Sequence, residues 1–174
     1  MHIEGATAPV TGGVSGLGLG AARMLLAAAG SVAMADIDGA KGEKVMSDLG
    51  DLREGARFFH SDLTDPGQVA AMVAGTVDEL GSIGILVNAA DVARAQRVVS
   101  RDGSLFDLEL FAFTIGVNLI GMFDVIRNVA AVMAGNHPDG NGERGVMINV
   151  ASIAAFEGQI GQAAYSAPKA GGWG

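Results

Sequence analysis

The chain has 174 residues, of which 49% are hydrophobic and 17% charged, and its formal net charge is −8. This length indicates one domain, and so apolar a composition predicts a packed core rather than disorder. The negative charge argues against a nucleic-acid partner, the absence of cysteine excludes disulfides, and no apolar run approaches the roughly 20 residues that cross a bilayer. We therefore expect a cytoplasmic protein with neither nucleic acid nor membrane as a partner.

Apolar runs of strand length alternate with amphipathic stretches of helix length. The predicted strands cover residues 6–11, 31–35, 56–60, 83–87 and 146–150, and the predicted helices cover 17–29, 39–49, 66–80, 106–133 and a stretch from Gln162 onwards. Strands that are apolar throughout and alternate with helices predict a parallel sheet covered on both faces. The expected fold is a doubly wound α/β sheet, the Rossmann fold, as a single domain over residues 1–174.

Each predicted strand is followed by glycine or by a polar residue, and in such sheets ligands bind beyond the carboxyl ends of the strands. The features in question are the loop 12–18, Asp36, Asp62, Asn88 and Ser152. Any one of them could simply cap the next helix. Together they predict one continuous crevice.

The loop from Gly12 to Gly18 joins the first strand to the first helix, where glycines let the backbone approach a pyrophosphate at the helix N-terminus. Asp36 closes the second strand, where a carboxylate accepts hydrogen bonds from the adenosine ribose. The alternative role for Asp36 is to cap the following helix, for which Asp38 is the better candidate. No Lys or Arg stands at Gly13 or Ile37 to bind a 2′-phosphate, so the predicted cofactor is NAD rather than NADP.

Tyr165 and Lys169 are four residues apart and share one face of a helix. A neighbouring ammonium stabilises a phenolate, so we expect Lys169 to bring the pKa of Tyr165 down towards a working range. Ser152 ends the preceding strand and can hold a substrate oxygen beside the phenol. The three histidines show no ligand spacing, and no metal site is predicted.

On these residues the chain resembles the short-chain dehydrogenase/reductase family over essentially all its length. The matching positions are Gly12, Gly16 and Gly18 in the loop, Asn88-Ala89-Ala90, Asn118 on the long helix, and Ser152, Tyr165 and Lys169. The resemblance implies further cofactor contacts by Ser15, Leu17 and Asn88. It also implies that Asp62 and Leu63 flank the adenine and that Ala89 lies beside the adenosine ribose.

The segment 150–166 also resembles the type 2 3-hydroxyacyl-CoA dehydrogenases, a group that includes 17β-hydroxysteroid dehydrogenase activity. This implies an NAD-dependent oxidoreductase that acts on a secondary alcohol or ketone, with a 3-hydroxyacyl-CoA as the expected substrate. An acyl-carrier-protein thioester and a sugar alcohol are the alternative substrates. Tyr165 would take the hydroxyl proton, Lys169 would also bind the nicotinamide ribose, and Asn118 would hold a proton-relay water. Gln159 and Gln162 would line the substrate mouth, or simply pair with a loop backbone.

Four features depart from the family pattern. Pro9 falls in the first strand and Pro168 between Tyr165 and Lys169. Where the family has glycine after Asn-Ala, either Asp91 brings a carboxylate near the cofactor phosphates, or Ala90 takes the glycine's place and Asp91 faces outwards. The family also continues for several tens of residues, with two more strands, a substrate cover and part of the interface of its homo-oligomers. We therefore expect a C-terminally truncated chain, with a catalytically silent fragment that still binds nucleotide, or pairs with an intact subunit, as the alternative to a working enzyme.

Overall fold

The computed structural model describes residues 2–173. Five strands lie in one parallel sheet: β1 (Thr7–Thr11), β2 (Ser31–Asp36), β3 (Ala56–His60), β4 (Ile85–Asn88) and β5 (Val146–Asn149). Their order is β3-β2-β1-β4-β5. The chain therefore changes direction across the sheet between β1 and β4, and this switch point is where ligands of doubly wound sheets bind. The predicted fold class is confirmed.

Six helices connect and cover the strands: α1 (Gly16–Ala27), α2 (Gly39–Asp48), α3 (Pro66–Leu80), α4 (Leu108–Ile115), α5 (Met122–Ala134) and α6 (Ala163–Trp173). The Asp65 carboxylate caps α3 by accepting hydrogen bonds from the N–H groups of Gly67 and Gln68, and Pro66 fills the first position, where a missing N–H costs nothing. Asp38 caps α2 by accepting from the N–H of Lys41 at 2.9 Å, as the sequence predicts.

Two apolar clusters fill the two sides of the sheet. One joins β1, β2, α1 and α2 around Val10, Val32 and Met34. The other packs α3 and α5 on the opposite face, with Val69, Val125 and Val129 at 0% exposure. Residues of β1, β2 and β4 therefore face core on both sides, which explains why these strands are apolar throughout rather than alternating. The edge strand β5 is mostly exposed, and β3 is partly buried.

Helices α4 and α5 are joined by a π-helical turn, Gly116–Gly121, into one helix of 27 residues, with a mean hydropathy of 1.6 over an 18-residue window. By length and composition this helix could cross a membrane, so the expectation that no apolar run approaches that length is wrong. The same properties occur in core helices of globular folds. Here Val125, Val129 and Met133 pack into the core beside the sheet.

Both unusual prolines are accommodated inside their elements. Pro9 lies in the central strand β1, between the Thr7–Ile83 bridge and the Val10–Val87 pair, where the ladder to β4 is interrupted. Pro168 lies inside α6, beyond its first turn. Each helix and strand is otherwise within about two residues of its predicted bounds, the usual scatter of element ends.

Candidate active site

A cavity of about 330 Å³ opens beyond the carboxyl ends of β1, β2 and β4, at the switch point of the sheet. Eight residues predicted to bind a cofactor line it: Gly12, Ser15, Gly16, Leu17, Asp36, Asp62, Leu63 and Ala89. Ala90, Asp91 and Val92 complete the wall on the β4 side. A larger surface groove of about 730 Å³ lies around the loop 135–145, near the amino end of β5 and away from these residues.

In the glycine loop, the backbone packs directly against the backbone of the segment after β4 and of the start of α1. A Cβ on Gly12, whose φ is +63°, would lie 2.8 Å from the Ala90 Cα, and a Cβ on Gly18 would lie 2.2 Å from the Gly12 carbonyl oxygen. Gly18 is buried and packs α1 onto the loop instead of lining the cavity. Gly16, by contrast, has φ +51° and none of the described atoms within 4 Å of its Cβ position, so it borders open space.

The N-terminus of α1 lies at this cavity, whose wall includes Ser15, Gly16 and Leu17. Ser15 precedes the helix in an extended conformation, and within residues 2–173 its side chain makes no capping hydrogen bond. The first turn carries no acidic side chain. A glycine-rich loop followed by a helix N-terminus without a side-chain cap fits the pyrophosphate of a dinucleotide.

Asp36 lies at the carboxyl end of β2, where it lines the cavity. One of its oxygens, Oδ1, accepts from the backbone N–H of Asp38 at 3.1 Å, and the cap of α2 is Asp38 itself. Asp36 is therefore not the helix cap. Asp62, after β3, accepts from the backbone N–H and the hydroxyl of Thr64, at 2.9 and 2.8 Å.

Asn88 lies beneath the cavity rather than in its wall. Its Nδ2 donates to Asn149 Oδ1 at 2.9 Å, and its Oδ1 accepts from the Thr11 hydroxyl at 3.4 Å. Asn88 is 4% exposed and so ties together the ends of β1, β4 and β5. The Thr11 hydroxyl also accepts from the N–H groups of Ala89 and Ala90, each at 3.2 Å. Sequence reasoning gave Thr11 no role, although its place at the end of β1 is the available signal.

Asn118 comes from the π-helical turn and reaches the loop after β4. Its Oδ1 accepts from the Val92 N–H at 2.9 Å, and its Nδ2 donates to the Val92 carbonyl at 2.8 Å. Asn118 is 4% exposed. A small cavity of about 10 Å³, roughly the space of one water molecule, lies between Asn118, Lys169 and the end of β5.

Tyr165 and Lys169 lie on one face of α6, with Lys169 Nζ 5.6 Å from the centre of the Tyr165 ring. Lys169 is 7% exposed, and its Nζ donates to the Val150 carbonyl at 2.9 Å. The Tyr165 hydroxyl donates to Asp91 Oδ2 at 2.9 Å, and the same carboxylate oxygen lies 3.4 Å from Lys169 Nζ. One carboxylate thus engages both members of the pair.

The pKa of Tyr165 is raised above its ordinary value, chiefly by burial and then by the hydrogen bond and charge of Asp91, while the Ser152 hydroxyl opposes the rise. The expectation that Lys169 brings the pKa of Tyr165 down is therefore wrong for this arrangement. The physical reasons are the burial of the phenol, which disfavours the charged phenolate, and then the hydrogen bond and negative charge of Asp91 beside the phenol oxygen. Of the two expected placements of this segment, Ala90 does take the close-packed position against Gly12. Asp91 is not turned outwards, however: it lines the cavity beside the glycine loop, and its carboxylate contacts Tyr165 and Lys169.

Ser152 follows β5, and its hydroxyl accepts from the Ala154 N–H at 3.2 Å. Gln159 lies on a neighbouring surface groove that also involves Arg97 and Ser166. Gln162 precedes α6, and its buried Oε1 has no hydrogen-bond partner among the described residues. The structure brings Ser152, Tyr165 and Lys169 together and leaves the two glutamines at the edge. Residues 2–173 hold no group of three or more His, Cys, Asp or Glu that could bind a metal ion.

Comparison with known proteins gives one consistent result. The sequence profile of the family described as short chain dehydrogenase matches residues 6–174. The 3-hydroxyacyl-CoA dehydrogenase type-2 of Rattus norvegicus is 42% identical over 170 residues, which cover 97% of this chain and 64% of that protein. The 2-dehydro-3-deoxy-L-rhamnonate dehydrogenase (NAD(+)) of a Sphingomonas strain is 33% identical over 167 residues, covering 96% of this chain and 61% of that protein.

A solved structure agrees with these relatives. The crystal structure of 3-hydroxyacyl-CoA dehydrogenase type-2 from Mycobacterium avium superposes with a TM-score of 0.87 at 42% identity, covering 96% of this chain and 64% of that one. The chain thus spans about 64% of the length of the rat and mycobacterial proteins.

Proposed function

Because the chain belongs to the short-chain dehydrogenase/reductase family, whose members imply a nicotinamide cofactor, we propose that residues 1–174 are an NAD-binding domain that interconverts a secondary alcohol and a ketone. The substrate we propose is a 3-hydroxyacyl-CoA and its 3-oxoacyl-CoA product. One observation carries the proposal: Tyr165 and Lys169 share a helix face beside a cavity that the glycine loop and the α1 N-terminus border at the switch point.

The residues around the cavity fit a dinucleotide. Gly12 and Gly18 permit backbone contacts that any side chain would block, and Gly16 borders open space where phosphate oxygens can approach the helix N-terminus. Asp36 would accept from the ribose hydroxyls and repel a 2′-phosphate, which favours NAD. In support, the name of the Sphingomonas relative includes NAD(+).

When bound, the nicotinamide supplies or accepts a hydride at the substrate carbon. Tyr165 would donate its phenol proton to the substrate oxygen in reduction, or accept the hydroxyl proton in oxidation. Ser152, whose hydroxyl acts on the pKa of Tyr165, would hold the same oxygen. Lys169 would bind the nicotinamide ribose and keep an ammonium beside the phenol.

Protons would reach Lys169 from the Asn118 side. Both residues border the 10 Å³ cavity, which is about large enough for one water molecule. Both polar atoms of the Asn118 amide are hydrogen-bonded to the Val92 backbone. A water in this cavity would therefore bond to neighbouring backbone groups instead of to the Asn118 side chain.

The substrate assignment rests on the similarity to the rat and mycobacterial proteins, both named 3-hydroxyacyl-CoA dehydrogenase type-2. It is tested by following NADH formation with 3-hydroxybutyryl-CoA, an acyl-carrier-protein 3-hydroxy thioester and a sugar alcohol. The assay is run on this chain and on a form extended with the remaining C-terminal residues of the rat protein. Turnover of the CoA ester above the other two supports the proposal, and a preference for either competitor in both forms overturns the substrate assignment.

A further inference from the structure

Asp91 occupies a place in the active site that the proposed reaction does not need. Its Oδ2 accepts the Tyr165 hydroxyl at 2.9 Å and lies 3.4 Å from Lys169 Nζ. The Asp91 side chain is 28% exposed, whereas that of Lys169 is 8% exposed. Asp91 also borders the 330 Å³ cavity, so its carboxylate lies between the cofactor crevice and the catalytic pair.

The backbone on both sides of Asp91 is held by buried side chains. Ala90 donates its N–H to the hydroxyl of Thr11, which is 1% exposed, and Val92 is bonded at both its N–H and its carbonyl by Asn118. A loop anchored on either side of one residue leaves that residue few alternative directions. The fold therefore holds Asp91 in a position where it contacts Tyr165.

A carboxylate in this place acts on the proton of Tyr165. An ionised carboxylate can only accept hydrogen bonds, so its partner must keep the proton, and its charge opposes formation of a phenolate. The ionisable groups that face the phenol are Asp91 from the β4–α4 loop and Lys169 from its own helix, with the Ser152 hydroxyl from the segment after β5. The Lys169 ammonium is shared with the same carboxylate, which weakens its support of a phenolate.

We propose that Asp91 is a positioning residue that keeps the phenol of Tyr165 protonated and thereby favours its role as a proton donor in carbonyl reduction. This inference rests on the proposed function. In that direction the carbonyl carbon receives the hydride of the reduced nicotinamide, the carbonyl oxygen takes the Tyr165 proton, and the phenolate regains a proton from solvent. In alcohol oxidation the phenol must first lose its proton against the charge of Asp91, so oxidation requires a higher pH.

Tyr165 is the only tyrosine among the 174 residues, so the near-ultraviolet absorbance of tyrosinate reports this one phenol. The experiment is a pH titration of the parent chain, Asp91→Asn, Asp91→Glu and Asp102→Asn, with circular dichroism at each pH to confine the fit to folded protein. Asp102→Asn is the control, because it removes the same charge from an exposed turn of the same loop, where Asp102 bonds Ser104.

Removal of the Asp91 charge should lower the apparent pKa of Tyr165 by about one unit, a tenfold rise in its ionisation constant. Asp91→Glu and Asp102→Asn should remain within a few tenths of the parent. Identical titrations of the parent and Asp91→Asn would overturn the inference. If Asp91→Asn does not fold, Asp91→Ser replaces it under the same criterion.

Two further readouts separate this inference from the proposed function. NADH binding is measured for each variant, and absence of binding in all of them overturns the proposed function without touching the tyrosinate result. For the form that turns over substrate, the acidic limb of the oxidation profile should move to lower pH in Asp91→Asn and not in Asp102→Asn. An unmoved limb contradicts the effect on direction even if the phenol titrates as expected.

Discussion

The Asn118 amide bonds both the N–H and the carbonyl of Val92, across 26 positions of sequence and at 2.9 and 2.8 Å. Asn118 can do this because it lies in the π-helical turn, which interrupts the regular helix between α4 and α5. The contact fixes the loop that carries Asp91 and so connects the long helix to the catalytic pair.

Substitution of Asn118 tests that connection. Asn118→Ala removes the side-chain partner of two half-buried backbone groups of Val92, so the free energy of unfolding should fall by about 1–3 kcal/mol. Urea unfolding of the variant beside Asn141→Ala, a change in the exposed loop 135–145, gives the measurement. Equal losses in the two variants would mean that the Val92 contact contributes nothing specific.

For two of the three glycines of α1, Gly18 and Gly20, the structure predicts opposite effects of the same substitution. A Cβ on Gly18 would lie 2.2 Å from the Gly12 carbonyl oxygen, whereas a Cβ on Gly20 meets none of the described atoms within 4 Å. Gly18→Ala should therefore lower the free energy of unfolding by about 1–3 kcal/mol, and Gly20→Ala should raise it by up to about 1 kcal/mol. Gly18→Ala should also weaken NADH binding, because the shift falls on the phosphate loop. A Gly18→Ala chain as stable as Gly20→Ala would contradict the close packing of helix and loop.

Cofactor choice is predicted from Asp36. Hydrogen bonds to a charged acceptor contribute about 1.5–3 kcal/mol, so NADH should bind at least about tenfold more tightly than NADPH. Asp36→Asn should remove most of that preference, while Asp48→Asn, which removes a charge paired with Lys44 at the end of α2, should retain it. Fluorescence titration with both nucleotides gives the two affinities. Tighter binding of NADPH by the parent would show that Asp36 has been assigned wrongly.

The raised pKa of Tyr165 also predicts how stability depends on pH. Burial, followed by Asp91, raises the pKa of Tyr165 in the folded chain above its unfolded value of about 10. The phenol's contribution is therefore fully present below that unfolded value and is lost as pH rises through the higher folded pKa. The free energy of unfolding of the parent should fall more steeply in this alkaline range than that of Tyr165→Phe. Parallel curves would indicate that Tyr165 titrates alike in both states.

Local pattern predicts most of the fold. Pro66 after Asp65, Asp38 before the second helix and glycines after the first strand are short-range signals, and each gives a cap or a turn in the predicted place. The strand order, by contrast, is not predicted by local pattern and comes from the structure. The π-helical turn is not visible in the apolar pattern, which continues through it without interruption.

The active site is only partly predictable for a different reason. The spacing of Tyr165 and Lys169 places them on one helix face, but the group that controls their protons is 74 positions earlier in the chain than Tyr165. Whether Ala90 or Asp91 packs against Gly12 depends on backbone contacts within 3 Å, which no local pattern encodes. The spacing on the helix therefore predicts the wrong direction for the pKa of Tyr165, because burial and then the charge of Asp91, both supplied by tertiary structure, outweigh the neighbour on the same helix.

We propose above that Tyr165 donates or accepts the substrate proton in an NAD-dependent hydride transfer. The most direct test of this proposal is the turnover of 3-hydroxybutyryl-CoA by Tyr165→Phe, measured with NADH binding in the form of the protein that is active. General acid–base catalysis contributes roughly 10²–10⁴-fold, so the account predicts a loss of at least this size in turnover while NADH affinity stays within a few-fold of the parent. Near-parental turnover by Tyr165→Phe would contradict the account.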